Sequence, residues 1–445
     1  MVRYTFLQNV SVYLIGFSLI LFSCTNKREE LNMSKINVIP NPLETTLKEG
    51  FLDLRQIDEI LLASGNDAEA AIADIVKRFL TPVNQLPIRI NNHRTPNSFF
   101  IKIDKDLDLG EEGYRLSIDR DNSVEINSLS YAGLFYGYQT FRQICDPELE
   151  NEKDLMSTSI PCLEIIDEPE FGYRGMHLDV SRHFFDIDFI KTYIDMIALH
   201  KMNVFHWHLT DDNGWRIEID KYPLLTEKSA WRVDRTSEPW KEQSPIKENE
   251  EATYGGYYTK EEIREVVDYA ASKSIMVIPE IEMPGLTSEV FAAYPDLSCK
   301  GEFIPVNPGS YWPNIDIFCA GNEDVFEFLQ NVLEEVIGLF PAPYVHIGGD
   351  EAHKEIWESC PKCQKRILDE GLADEHELQS WFIKRIEKFI LSKGKKLVGI
   401  CVGMQMLFEC SEENGLNKGM ALIKGKVTLL NPNQNKLDNE MRLPN

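Results

Sequence analysis

The sequence predicts an α/β protein: a (β/α)8-type barrel truncated after five strands, preceded by a small α+β domain. Three observations carry this. From Gly172 onward, strand-like and helix-like segments alternate, and such alternation builds a parallel sheet with helices outside it. The strand-like segments end in carboxylates, Asp179, Asp211, Glu282 and Asp350, as they do where chemistry gathers at the C-terminal ends of barrel strands. Before Gly172 the pattern is different, with short alternating runs and one aromatic-rich helix.

The elements follow in order. Residues 1–24 carry Arg3, an apolar run too short to span a bilayer comfortably, and Leu21-Phe22-Ser23-Cys24. This predicts a lipoprotein-type signal peptide with Cys24 as the lipidated N-terminus, an exported protein in the bacterial periplasm or outer membrane, and membrane contact only through that anchor. Residues 25–35 read as a polar tether. Residues 36–165 form the small domain: "EGYRLSID" and "SVEINS" alternate as strands, and Ser130–Cys145 has helical spacing.

Residues 166–400 form the barrel domain. "YRGMHLDV", "MNVFHWHLT", "IMVIPEIE", "YVHIGG" and "KKLVGI" read as its five strands. Between them lie the helices "DIDFIKTYIDMIALHK", "EEIREVVDYAASK", "EDVFEFLQNVLEEVIGLF" and "ELQSWFIKRIEKFILSKG", and a long loop over 211–258. Thr259 and Glu262 form a capping box ahead of the second helix. In the tail, 401–445, one strand candidate stands out, "KGKVTLL".

The chain has 445 residues, 46 basic and 72 acidic, for a formal net charge of −26. That balance argues against a nucleic-acid partner, whose phosphates attract basic faces, and leaves neutral substrates open. The cysteines are scattered, so no dense disulfide framework is expected. Cys360 and Cys363 form one C-x-x-C, but no second pair at similar spacing follows, and no metal site is expected there.

Asp350 and Glu351 pose the sharpest question. Two adjacent acids follow Gly348-Gly349 at a strand end, where different surroundings can leave one protonated and one ionised. Glycoside hydrolysis uses that division of labour, but it ordinarily sets its two carboxylates on opposite sides of the bond. Neighbours suit a substrate-assisted variant, in which the sugar's 2-acetamido oxygen attacks the anomeric carbon. A metal-dependent alternative rests on His206 and His208, which share one strand face, with Asp211 nearby and His346 at a later strand end.

"HIGGDE", "YRGMHLDVSRHF", "NVFHWHLTDDNGWR" and "VIPEIEMPG", in that chain context, resemble glycoside hydrolase family 20, the β-N-acetylhexosaminidases, over about residues 36–399. The resemblance implies exo-acting, retaining removal of terminal N-acetylglucosamine or N-acetylgalactosamine from a glycan, with no cofactor and no metal. It implies Glu351 as the general acid and Asp350 as the partner of the acetamido N–H. Arg174 would bind the terminal sugar, Asp211 or Asp212 would support the acid, and His346 joins them as a substrate-binding candidate.

Two departures accompany the resemblance. Leu286 stands where the family reads histidine after Pro284-Gly285. From about residue 397 the tail resembles the glutaminase subunit of imidazole glycerol phosphate synthase, with Cys401 at the nucleophile position but no downstream histidine. The competing expectation is therefore a catalytically inactive chimera that binds sugar weakly.

Overall fold

The computed structural model describes residues 36–150, 157–309, 315–399, 408–412, 417–419 and 423–428. The chain divides between Glu168 and Pro169. This lies beyond the expected limit at 165 for a simple reason: the last strand of the first unit continues to Asp167, paired on both sides.

The first unit is built from β1 (Glu44–Asp53), β2 (Glu59–Leu62), α1 (Asp67–Leu80), β3 (Ile88–Ile90), β4 (Ser98–Ile103), β5 (Tyr114–Asp119), β6 (Ser123–Ser128), α2 (Tyr131–Ile144) and β7 (Ser159–Asp167). Its mixed sheet has the order β1-β7-β5-β6-β4-β2-β3. Asn66 and Ser130 cap α1 and α2 through their side-chain oxygens. The two helices pack on each other and on the sheet. Phe141 of α2 meets Phe99 of β4 edge-on at 5.0 Å.

The second unit opens with β8 (Gly175–Asp179), α3 (Ile187–Leu199) and β9 (Val204–His208). Two small hairpins follow, β10 (Thr210–Asp211) with β11 (Gly214–Trp215), and β12 (Trp231–Val233) with β13 (Ala252–Gly255). Then come α4 (Lys260–Ala271), β14 (Met276–Glu280), α5 (Glu323–Leu339), β15 (Tyr344–His346), α6 (Glu355–Glu358), α7 (Pro361–Glu370), α8 (Glu375–Ser392) and β16 (Lys396–Val398). The capping box at Thr259 and Glu262 is formed. The stretch 211–258, read as loop, holds both hairpins because buried Arg216 and Arg232 donate to main-chain carbonyls across it.

The five strands pair in parallel in the order β16-β15-β14-β9-β8, the neighbour relations of successive barrel strands. One face carries Phe205, Trp207 and Val277 outward beneath the helices. The opposite face carries Val204, Ile278 and Tyr344 low down, and His177, His206, His208, Glu280 and His346 at the C-terminal level. In the tail, β17 (Phe408–Ser411), β18 (Asn417–Lys418) and β19 (Ile423–Val427) form a separate sheet, so more strand is present than the single expected candidate.

Candidate active site

The site is assembled at the C-terminal ends of β8, β9, β14 and β15. After β8, Asp179 accepts from the main-chain N–H groups of Ser181 and Arg182, and the turn aims Arg182 back over the strand ends. Arg182 pairs with Asp179 at 3.0 Å and with Asp211 at 2.7 Å. Ser181 Oγ donates to the carbonyls of Asp211 and Gly214, which fixes the β8 turn against the β10–β11 hairpin.

Asp211 and Asp212 follow β9 and are buried. Asp212 accepts from the Ser288 N–H at 3.0 Å. His208 Nε2 lies 3.5 Å from Asp211 and 3.3 Å from Glu282. Burial drives Asp211 upward, while Arg182 and His208 pull it back down.

Beyond β14, Glu282 is buried, and burial followed by the charges of Glu280 and Asp350 pushes it well above the carboxylate range. Glu289 is raised by the same causes, burial first and then Asp212 and Asp211. Glu280 behaves in the opposite way. Burial alone would raise it, but His208, His206 and His346 override this and hold it ionised. His206 Nε2 is 2.8 Å from its carboxylate, and His346 Nδ1 touches the other oxygen.

Asp350 and Glu351 sit in the turn after β15. Gly348 and Gly349 have φ of 62° and 99°, left-handed conformations that glycine adopts without steric cost. A side chain on Gly348 would also strike the Glu282 carboxylate. Gly285 abuts the backbone of Asp350 and Ala352, so the turns after β14 and β15 lie directly against each other. Leu286 beside it is buried with φ of 55°. Glu351 itself is exposed. Its carboxyl is raised by partial burial first, then by Asp350 and Asp212, with Arg182 and His353 opposing.

The structure thus brings Asp350, Glu351, Asp211, Asp212 and His346 to one end of the sheet. It does not bring Arg174 there. Arg174 precedes β8, at the strand's N-terminal end, where its Nε and Nη1 donate to the carbonyls of Lys201 and Phe171. The assignment of Arg174 to the sugar is corrected: the arginine among the carboxylates is Arg182. The reading from sequence also passed over Glu280 and Glu289 as members of the cluster. Cys24 and Cys401 lie outside the described residues.

The groupings His206–Glu280–His346 and His208–Asp211–Glu282 each hold donor atoms within 4.8 Å of one another, but His206 and His208, the pair on which the metal-dependent alternative rests, fall in different groupings. Comparison with known proteins decides the family. Residues 171–407 match the catalytic domain of glycosyl hydrolase family 20, and residues 35–168 match domain 2 of that family. The chain belongs to glycosyl hydrolase family 20.

Relatives within the family agree. The chain is 40% identical over 392 residues to a beta-hexosaminidase of Porphyromonas gingivalis, covering 85% of this chain and 47% of that protein. It is 39% identical over 292 residues to the beta-hexosaminidase of Vibrio furnissii, covering 65% and 46%. Among solved structures, a Streptomyces plicatus beta-hexosaminidase in complex with the product GlcNAc superposes with a TM-score of 0.68 at 31% identity, covering 81% of this chain and 65% of that one. A β-N-acetylhexosaminidase from Bacteroides fragilis gives 0.65 at 33% identity, with the same coverage. The chain spans about half the length of the curated relatives it matches. For this family-20 chain, a β/α barrel preceded by a small domain is therefore the expected architecture, and its five described strands are part of that barrel.

Proposed function

We propose that the protein is an exo-acting β-N-acetylhexosaminidase that removes terminal N-acetylglucosamine or N-acetylgalactosamine by substrate-assisted, retaining catalysis. The observation that carries this reading is the Asp350–Glu351 turn: a raised, exposed carboxyl next to a second acid, over a floor of buried carboxylates and Arg182.

Glu351, protonated, gives its proton to the glycosidic oxygen as the bond to the anomeric carbon breaks. The acetamido oxygen of the sugar forms the new bond to that carbon, giving a cyclic oxazolinium. Asp350 accepts the acetamido N–H and balances the positive charge. Water then attacks the anomeric carbon, Glu351 takes its proton, and the acetamido group is released. Two inversions give net retention. Arg182 has the reach and the position for the sugar hydroxyls, while its charge restrains the pKa values of Asp211 and Glu351.

The test is hydrolysis of an aryl β-N-acetylglucosaminide by the chain, with the anomer of the first-formed sugar read by proton NMR. The β-anomer is expected; an initial α-anomer would exclude the mechanism. A second reading, sugar binding without turnover, is favoured by one observation. Among the described residues the sheet stops at five strands, with β8 and β16 as its edges. Binding of N-acetylglucosamine seen by calorimetry, without hydrolysis, would select it.

We also propose export with lipid attachment at Cys24. Labelling with a fatty-acid analogue that is lost in Cys24→Ala is the expected result. Among the described residues no helix is long and apolar enough to cross a membrane.

A further inference from the structure

Far apart in sequence, Cys299, Cys319, Cys360 and Cys363 converge in the second unit. Their sulfur atoms all lie within 4.8 Å of one another. Cys299 Sγ is 3.8 Å from Cys363 Sγ, and Cys319 Sγ is 3.7 Å from both Cys360 and Cys363. All four are free cysteines. A tetrahedral zinc with bonds of about 2.3 Å to sulfur sets neighbouring sulfurs about 3.8 Å apart. A disulfide would hold two of them at about 2 Å. From these distances we propose that the four cysteines form a structural zinc site.

The surroundings fit thiolate ligands. Cys360 stands at the N-cap position of α7, Pro361 follows at its first position, and Cys363 lies in its first turn, where the helix end favours negative sulfur. The Gly321 N–H donates to Cys319 Sγ. Gly321 also presses on the Cys360–Cys363 turn so closely that a Cβ would come within 2.1 Å of the Lys362 carbonyl carbon. The two segments are thus shaped around a shared centre. Three of the four sulfurs are on buried residues and Cys299 is half-buried. Four thiolates this close repel unless a cation sits among them, and a set of four sulfurs selects zinc or iron over harder metals.

The site also has a structural task. Cys299 and Cys319 belong to the long segment after β14, and Cys360 ends the segment that begins with the Asp350–Glu351 turn. A metal here clips the segment after β15 to the segment after β14. This corrects the expectation that Cys360-x-x-Cys363 lacks partners: Cys299 and Cys319 supply them without a second short-spaced pair.

The test is metal content of the full-length protein after gel filtration and dialysis against EDTA, with thiols counted before and after denaturation. One zinc per chain is expected, and its cobalt-substituted form should show the charge-transfer spectrum of a tetrathiolate. Cys319→Ser and Cys363→Ser should lose the metal, whereas Cys145→Ser and Cys162→Ser should retain it. If the first pair fails to fold, an organomercurial titration of the native protein should release the zinc to a chromogenic chelator as four thiols react. Protein free of metal, with these thiols either free or oxidised to disulfides, would overturn the proposal. So would a cobalt spectrum of nitrogen and oxygen ligands, which would move the ion to the histidine cluster, and iron in place of zinc would overturn the choice of metal. None of these readouts depends on glycoside hydrolysis.

Discussion

Arg182 Nη2 meets Asp211 Oδ2 at 2.7 Å, joining the turn after β8 to the hairpin after β9. The aspartate side chain is 1% exposed and the arginine side chain 32%, so solvent reaches the arginine but not the carboxylate it pairs with. A guanidinium carries five N–H donors, more than its contacts with Asp179 and Asp211 require.

Arg182→Ala should lower kcat/KM by about 10- to 100-fold, the scale of a lost charged hydrogen bond in a recognition site. Arg174→Ala should lower the melting temperature and leave KM near the parent value, because it lies at the other end of β8, where it donates to the carbonyls of Lys201 and Phe171. Kinetics and thermal melts of the two variants check this; a larger KM effect in Arg174→Ala would reverse the assignment.

The pH profile carries a sign. Glu351 must be protonated to act, so kcat/KM should fall as pH rises through its raised pKa. Burial is the first cause of that raise and Asp350 the second, with Arg182 opposing. Asp350→Asn should therefore move the basic limb to lower pH, along with a large loss of rate, and Arg182→Gln should move it to higher pH. A basic limb that stays in place in both variants would mean that another group controls it.

Gly348→Ala should destabilise the protein by about 2–4 kcal/mol, combining backbone strain with steric overlap. Its φ is 62°, and a Cβ would lie 1.5 Å from Glu282 Oε2. Gly349→Ala should lose stability through backbone strain alone, since its φ is 99° and its Cβ would meet only Ile383 Cδ1 at 3.6 Å. Denaturant unfolding of both variants measures the two costs, and a Gly348→Ala loss below about 1 kcal/mol would show that Glu282 moves aside freely.

Much of this was legible in the chain itself. The strand–helix alternation, the capping box at Thr259 and Glu262, and the acids at the strand ends all come from local patterns, and the structure keeps them. Arg174 and Arg182 show where local pattern runs out. Both lie in one short stretch, and only the strand between them decides which arginine reaches the acids. Arg174 precedes β8 and Arg182 follows it, so the rule that barrel chemistry gathers at C-terminal strand ends was the signal that could have selected Arg182. The four cysteines had no such signal. Cys299 and Cys319 reach Cys360 and Cys363 only through the packing of two long segments, and no short spacing announces it. Glu280 and Glu289 were hidden for a similar reason, since their meaning lies in neighbours from other strands.

The most direct measurement compares wild type and Glu351→Gln on two aryl β-N-acetylglucosaminides, one with a good leaving group and one with a poor one. If Glu351 is the proton donor, kcat/KM should fall by about 10²- to 10⁴-fold on the poor leaving group and far less on the good one. An equal loss on both substrates, or turnover unchanged by the substitution, would contradict the account.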